Sequence, residues 1–357
     1  MVYASQLAPL HKSPLRSDEF GTVSVDARRG LVYSGGRHGY LLASDDRDGR
    51  VVWELSLGAA IHGPPLLVGP NLLLCGTDGG ALVAIDLDDR TQTWRYETSG
   101  TIRTRPVVHD DVVFFANSRD QVFALDVRTG AWRWQYQREL PQGFSIQGRA
   151  GLAFVAARDL ASSDLHDDVG VLLTGFADGR AVALSAVTGE ALWITDLSPA
   201  GEDEFVDVDA TPLVDVAAGE VLVTGQATGV HALSLVDGEP RWRLPMRGAG
   251  PIVRTDAHRY LVASSIEGLV AFDRGGHVRW RRQLDPGVVG VPVVAGQRIF
   301  VSHSESGLLV YGSDRGEFLG GMDVGSGVSG GLSLHESKQR LYLTTNRGML
   351  LALDIGG

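Results

Sequence analysis

The chain has 357 residues, of which 44% are hydrophobic and 46 are glycine. This composition is typical of a folded protein rich in turns and excludes a chain that is disordered throughout. Acidic residues outnumber basic residues by 43 to 32, which gives a net charge of −11. That balance argues against the broad basic surface that binding to nucleic acid requires, so we expect no nucleic-acid partner.

The N-terminal segment, MVYASQLAPLHKSP, lacks the basic stretch followed by an apolar core that marks an export signal. No later apolar run approaches the roughly 18 residues that a membrane-spanning helix needs. We therefore expect a soluble chain without a membrane span. Its location stays open between the cytoplasm and, if an export signal was removed from a precursor, the periplasm or cell envelope.

A frame that runs from alanine to tryptophan recurs along the chain. It reads ASDDRDGRVVW at 43–53, AIDLDDRTQTW at 84–94, ALDVRTGAWRW at 124–134, ALSAVTGEALW at 183–193 and ALSLVDGEPRW at 232–242. A shorter copy, AFDRGGHVRW, occupies 271–280, and two degenerate copies follow at 310–320 and 352–357. Most copies begin 39 to 42 residues apart. Periods near 40 residues are typical of repeat arrays.

Each repeat also contains short β-rich runs, such as DVVFFAN at 111–117 and EVLVTGQ at 220–226. Turns such as TDGG at 77–80 and ADGR at 177–180 separate them, and their glycines tolerate the positive φ of a hairpin loop. These patterns predict two hairpins in series, or four strands, in each repeat.

Eight four-stranded units bury their faces when they stack radially. We therefore predict an all-β fold, an eight-bladed β-propeller of four-stranded antiparallel blades, as a single domain over 1–357. The last repeat, 329–357, stops after its third strand. The segment VYASQL at 2–7 is an unassigned β-like run, and we predict that it supplies the outer strand of the last blade and closes the ring.

The repeated tryptophans have a structural explanation in such a fold. Each large ring is predicted to pack over the turn and strand of the adjacent blade. This prediction covers Trp53, Trp94, Trp134, Trp193, Trp242 and Trp280.

The frame Ala-x-Asp-x-x-x-Gly-x-x-x-Trp resembles the tryptophan-docking motif of the pyrroloquinoline-quinone (PQQ)-like, or quinoprotein-type, β-propeller repeat family. The resemblance covers nearly the whole chain. Among the scaffold members, the architecture is most similar to the lipoprotein propeller subunit of the outer-membrane β-barrel assembly machine, which has eight blades and no catalytic site. This resemblance implies a non-catalytic scaffold that binds a protein partner through inter-blade loops. The lipobox cysteine that anchors such a subunit is absent from the sequence. We expect a monomer.

The family also includes quinone-dependent dehydrogenases, which hold PQQ beneath a vicinal disulfide and use Ca²⁺ with a catalytic aspartate. The one cysteine here, Cys75, cannot form that disulfide. The acidic stretches do not match an EF-hand, and the ten histidines are scattered without a metal-binding pair. We therefore expect no PQQ, Ca²⁺ or other metal and no catalytic residues. A quinoprotein-like enzyme, or a propeller that binds a small anionic ligand in its central channel, is the alternative.

Polar residues recur in the segments that enter the innermost strands. Aligning these segments predicts one group near a mouth of the central channel, formed by His62, Arg103, Arg105, Gln147, Arg149 and Asp209. The group is either a set of mutually satisfied polar side chains in a water-filled channel or a site for an anionic small molecule or a partner's carboxylate.

Two stretches, 156–170 and 198–210, depart from the repeat. Loops on a rigid scaffold are where function concentrates. The second stretch combines carboxylates with an aromatic residue, and its candidate partner-binding residues are Glu202, Asp203, Glu204, Phe205 and Asp207. The first stretch is a candidate extension of that surface. The alternative is that both are tolerated surface insertions without a partner.

Overall fold

A computed structural model describes residues 1–7, 21–137, 150–160, 169–198 and 207–356. Within these ranges the chain forms eight four-stranded antiparallel sheets. The sheets are the blades of an eight-bladed β-propeller, which confirms the predicted fold class. The helices of the described ranges are two short 3₁₀ turns, Ala157–Asp159 and Glu336–Lys338.

The strands follow one another in chain order through the blades, apart from the N-terminal strand. Blade 1 consists of β2 (Ser24–Asp26), β3 (Leu31–Gly35), β4 (Tyr40–Asp45) and β5 (Val51–Ser56), and blade 2 of β6 (Leu66–Val68), β7 (Leu72–Gly76), β8 (Ala81–Asp86) and β9 (Thr91–Glu97). Blade 3 consists of β10 (Val107–His109), β11 (Val112–Asn117), β12 (Gln121–Asp126) and β13 (Trp132–Gln137), and blade 4 of β14 (Ala153–Ala156), β15 (Gly170–Gly175), β16 (Arg180–Ser185) and β17 (Ala191–Asp196).

The remaining blades repeat this order, and the eighth takes its outer strand from the N-terminus. Blade 5 consists of β18 (Leu213–Asp215), β19 (Glu220–Gly225), β20 (Gly229–Ser234) and β21 (Pro240–Leu244), and blade 6 of β22 (Ala249–Arg254), β23 (Arg259–Ser264), β24 (Gly268–Asp273) and β25 (Val278–Arg282). Blade 7 consists of β26 (Val293–Ala295), β27 (Arg298–His303), β28 (Gly307–Gly312) and β29 (Phe318–Met322), and blade 8 of β30 (Ser333–His335), β31 (Arg340–Thr344), β32 (Met349–Asp354) and β1 (Tyr3–Gln6).

The chain divides into two compact units. The first unit, 1–105 with 285–357, holds blades 1, 2, 7 and 8, and the second unit, 106–284, holds blades 3 to 6. The prediction of a single domain over 1–357 stays a prediction.

The hydrophobic core lies between neighbouring blades of each unit. The second and third strands of a blade are almost continuously buried, as in β19 and β20, because a blade covers each of their faces. The outer strands alternate instead, and in β9 only Trp94 is buried. Between blades 1 and 2 the core contains Tyr33, Leu41, Leu73 and Val83, all with 0% exposure.

Three of the repeated tryptophans lie on a glycine turn of the next blade. Trp134 in blade 3 covers Gly189 in blade 4, Trp193 covers Gly238 in blade 5, and Trp242 covers Gly276 in blade 6. The indole Nε1 of Trp134 donates a hydrogen bond to the carbonyl of Ala186 at 3.1 Å, and that of Trp193 donates to the carbonyl of Leu235 at 3.2 Å. Trp94 and Trp280 are also buried, whereas Trp53 is half-buried with its ring 5.8 Å from that of Tyr33.

The N-terminal strand completes the last blade, as predicted. Strand β1 pairs antiparallel with β32, with Tyr3 opposite Ala352 and Gln6 opposite Met349. Tyr3 is 9% exposed and lies against Gly49 of blade 1, so its ring takes the place that tryptophan takes in other blades. The closure therefore uses both backbone pairing and side-chain docking.

This closure explains why the last two copies of the sequence frame are degenerate. In blade 8 the outer strand that pairs with β32 is β1, from the N-terminal segment, and not a strand that follows β32 through a turn, so a tryptophan in blade 7 has no such turn to cover. Gly320 occupies that position in β29 and pairs with Val310. The guanidinium of Arg298 donates instead to the carbonyl of Ile355, which is equivalent to the carbonyl that accepts from Trp134 in blade 3.

A buried ionic network joins blades 5 and 6. The carboxylate of Asp215, which is 1% exposed, accepts hydrogen bonds from Arg274 Nε at 2.7 Å and Nη2 at 3.0 Å and from the Tyr260 hydroxyl. Arg254 lies 3.3 Å away. Burial alone would raise the pKa of Asp215, but the hydrogen bonds from Tyr260 and Arg274 and the charge of Arg254 lower it below its usual value.

The substitution Asp215→Asn should lower the free energy of unfolding by about 2–3 kcal/mol at neutral pH, because it leaves two guanidinium groups without their counter-charge. A depressed folded-state pKa stabilises the fold above the unfolded-state pKa of about 3.9 and ceases to do so as the pH falls through the folded-state value. The difference between wild type and variant in urea unfolding should therefore hold at neutral pH and shrink below about pH 4. A difference equally large in acid would contradict this assignment, and Asp89→Asn, at an exposed turn, is the control.

Candidate functional site

Two kinds of segment meet at one end of the strands in a blade. One is the link from the preceding blade, and the other is the turn between the second and third strands. In the first unit, the backbone N–H of Asp78 in the turn of blade 2 donates to the carbonyl of Ala60 in the link at 2.8 Å. In the second unit, the N–H of Gln226 in the turn of blade 5 donates to the carbonyl of Asp207 at 3.1 Å. Antiparallel strands bring links and turns together in this way throughout each unit.

The first unit brings two of the predicted channel residues together through a third residue. His62 Nδ1 lies 2.8 Å from Asp78 Oδ2, and Arg103 donates from Nε and Nη2 to the two oxygens of the same carboxylate at 2.8 and 2.7 Å. Burial alone would raise the pKa of Asp78, but the hydrogen bonds and charge of Arg103 together with His62 lower it. Because Asp78 neutralises Arg103, this group is mainly a satisfied ionic cluster.

Of the four other predicted channel residues, Arg105 and Asp209 lie within the described ranges. Arg105 is exposed at the end of the same link and forms no ion pair with the residues described in the structure. Asp209 belongs to the second unit, and Gln147 and Arg149 lie outside the described ranges. The common group of six residues at a channel mouth stays a prediction.

The second unit holds four carboxylates on its links and turns, and we call them the acidic group: Asp120, Asp178, Asp207 and Asp209. Asp207 is 4% exposed and Asp120 is 6% exposed. Asp120 Oδ2 accepts from the N–H of Ala177 at 3.3 Å, and Asp209 Oδ2 accepts from Gln226 Nε2 at 3.2 Å. Arg180 lies 3.6 Å from Asp178. A backbone amide, a side-chain amide and an arginine thus contact a group that carries four ionisable acids.

Two members of the acidic group have raised pKa values. Burial raises the pKa of Asp120 to about 6, and the charges of Asp178, Asp207 and Asp209 add to the effect, against the opposing hydrogen bond from Ala177. Burial likewise raises the pKa of Asp207 to about 6, with a contribution from Asp209. Desolvation and like charges both disfavour the ionised form, so a cation placed against this group would relieve both carboxylates.

The described end of the candidate partner-binding loop, 207–210, contains two members of the acidic group, Asp207 and Asp209. Of the five candidate partner-binding residues, Asp207 is described, whereas Glu202, Asp203, Glu204 and Phe205 lie outside the described residues. The other irregular stretch, 156–170, connects β14 with β15, whose pairing ends at Ala156 and Gly170. This pairing ends at one end of blade 4. The link that follows β17 lies at the other end, where the backbone N–H of Leu197 donates to the carbonyl of Gly179 in the turn between β15 and β16. The described ends of the two stretches thus lie at opposite ends of blade 4, and the extension of the partner-binding surface to 156–170 stays a prediction.

Sequence reasoning missed Asp78, Asp120 and Asp178. TDGG and ADGR were interpreted only as turns, and Asp120 was not singled out. A usable signal was present, because links and second-to-third-strand turns must lie at the same end of an antiparallel blade. Aligning the turns beside the links would have placed Asp178 near Asp209.

The described residues contain no set of three His, Cys, Asp or Glu side chains placed to hold a metal ion. Cys75 is buried in β7, and this burial raises the pKa of its thiol.

Comparison with known proteins identifies the family. The family model described as outer membrane protein assembly factor BamB matches residues 37–232 and 226–356. The chain belongs to this family. Curated relatives include the BamB proteins of Shewanella oneidensis, 26% identical with 82% of this chain and 85% of the relative covered, and of Burkholderia pseudomallei, 28% identical with 84% and 75% covered.

Solved structures show the same fold as this family member. The crystal structure of BamB from Moraxella catarrhalis matches with a TM-score of 0.77 at 20% identity, over 98% of this chain and 99% of that one. Quinohemoprotein alcohol dehydrogenase from Comamonas testosteroni matches with a TM-score of 0.70 at 15% identity, over 96% of this chain and 72% of that one. Among the described residues, no helix has the length and apolar character to cross a membrane.

Proposed function

We propose that this chain is a non-catalytic β-propeller scaffold that binds a protein partner during outer-membrane protein assembly. The observation that carries the proposal is the family match, which covers residues 37–232 and 226–356. The protein acts as a monomer and without PQQ or Ca²⁺. A quinoprotein would instead reduce a dye acceptor when supplied with PQQ, Ca²⁺ and an alcohol, and such turnover would refute the scaffold proposal.

The partner contacts the inter-blade loop 198–210 and the acidic group beside it. Two features support this placement. Asp207 and Asp120 are buried and have pKa values near 6, so a lysine or arginine from the partner gains from their charge and relieves their mutual repulsion. The loop also deviates from the repeat at the end of the blades where these carboxylates lie.

The proposal predicts that Asp207→Asn combined with Asp209→Asn lowers the recovery of a membrane-embedded assembly protein from native envelope extracts. We expect a loss of about tenfold or more, because truncating hydrogen-bonded charges at an interface costs about 2 kcal/mol or more. Replacing Glu202, Asp203, Glu204 and Phe205 together should also abolish recovery while leaving the fold intact. Quantitative mass spectrometry of captured proteins measures both effects.

Asp89→Asn, on an exposed turn, removes one charge and should leave capture unchanged. Recovery by the wild type should fall between pH 7 and pH 5, because Asp120 and Asp207 lose their charge as the pH passes through about 6. Equal recovery by the wild type and by both altered proteins would show that the partner binds elsewhere.

A further inference from the structure

Basic residues are concentrated on the outer strands of two neighbouring blades in the second unit. Strands β21 and β25 carry five arginines and no carboxylate, in the sequences PRWRL and VRWRR. The six other outer strands, β1, β5, β9, β13, β17 and β29, carry together two arginines and three carboxylates. In a chain with a net charge of −11, this is a local reversal of charge.

Two of these arginines occupy equivalent positions in blades 5 and 6. The pairing of β20 with β21 skips Arg241, and the pairing of β24 with β25 skips Arg279 in the same way. A β-bulge leaves its extra residue outside the ladder, and both arginines are exposed. Neither guanidinium group makes a hydrogen bond or ion pair with the described part of the chain, although Glu220 and Asp237 lie within electrostatic range of Arg241.

The other three arginines on these strands have partners within the protein. Arg243 donates to the carbonyl of Thr228 at 2.8 Å, Arg281 pairs with Glu267, and Arg282 lies 5.9 Å over the ring of Trp280. These contacts hold the side chains of Arg243, Arg281 and Arg282 at the edges of their blades. The docking of Trp242 on Gly276 joins blade 5 to blade 6.

We propose that the outer strands β21 and β25 bind the phosphate groups of an anionic phospholipid bilayer, with Arg241 and Arg279 as the main contacts. Guanidinium groups form forked hydrogen bonds with phosphate oxygens. These arginines are exposed on the outer strands of two neighbouring blades, which suits a laterally extended array of headgroups better than one small anion. Exposed Val278, beside Arg279, adds an apolar contact at the headgroup level.

The net charge of the chain makes the proposal specific. An acidic protein is repelled from an anionic surface unless a positively charged patch faces that surface. Binding to an anionic surface therefore depends on this patch, which also orients the molecule on the surface. The acidic group belongs to links and turns and is not part of these outer strands. The membrane contact is therefore independent of the proposed partner site.

The test is co-sedimentation with phosphatidylethanolamine vesicles that contain or lack phosphatidylglycerol. Wild type should bind only the anionic vesicles, and less strongly as salt is raised. Replacing both arginines, Arg241→Gln with Arg279→Gln, should weaken binding roughly 30-fold, since each arginine near the surface contributes about fivefold. The matched control replaces Arg95→Gln and Arg133→Gln, on the outer strands of blades 2 and 3, and should bind like wild type.

Three results would overturn the proposal. The first is wild-type binding that is equally strong with and without phosphatidylglycerol. The second is an equal loss of vesicle binding in the two double variants. The third is a wild type that binds an acidic protein through Arg241 and Arg279 but binds no vesicle. Circular dichroism of both double variants verifies that they are folded. Arg241 and Arg279 are exposed at bulge positions, and Gln keeps a polar, unbranched side chain there, so we expect unchanged melting of that double variant.

Discussion

Removing residues 1–8 should lower the melting temperature by about 5–10 °C and cause the chain to associate. The truncation removes Tyr3, a buried aromatic side chain whose loss typically costs about 3–5 kcal/mol. It also exposes the backbone of β32, which pairs with β1 from Ala352 to Met349. An unpaired edge of apolar residues is a template for pairing with another chain.

Thermal unfolding and size-exclusion chromatography measure the two effects. Tyr3→Phe is the matched control, because the Tyr3 hydroxyl is buried without a hydrogen-bond partner among the described residues. That variant keeps the strand and removes only an unsatisfied polar group, so its stability should equal or exceed that of wild type. A truncated chain that melts like wild type and elutes as a monomer would show that β1 does not stabilise the closure.

Most of the fold could be predicted from the sequence because one physical rule recurs along most of the chain. A tryptophan at a fixed distance from a glycine turn, as at Trp134, marks the outer strand, and continuous apolar runs mark the strands that are buried on both faces. The missing fourth strand of the last repeat pointed to VYASQL. The degenerate copies gave no direct signal, because Gly320 and Arg298 make sense only once the closure by β1 is known.

The candidate site was less predictable because it depends on residues that are distant along the chain. Asp120 and Asp207 acquire raised pKa values through burial and through charges contributed by other links and turns, which no local pattern encodes. Conversely, Arg103 resembled a free anion-binding residue in the sequence, yet Asp78 neutralises it. Its partner lies in a turn that a repeat alignment treats only as a hairpin.

Trp134→Ala should lower the free energy of unfolding by about 4 kcal/mol, because it empties a large site between blades 3 and 4. The indole is 7% exposed and donates to the carbonyl of Ala186 at 3.1 Å. Gly189 at the turn has φ 74°, and a Cβ there would lie 2.5 Å from Cε3 of Trp134. The ring thus packs directly on backbone, so neighbouring side chains cannot move in to fill the cavity. Urea unfolding measures the loss.

Strand β13 supplies its own control, because Trp132 lies two residues earlier and is 59% exposed. The pairing of β12 with β13 skips Arg133, so Trp134 lies opposite Ala124 while Trp132 lies opposite Leu125, on the other face of the blade. Trp132→Ala removes the same atoms without opening a cavity, and its effect should stay within about 0.5 kcal/mol. Similar losses for both variants would mean that the indole matters for the strand itself. A large loss confined to Trp134 would assign the energy to docking on the turn of blade 4.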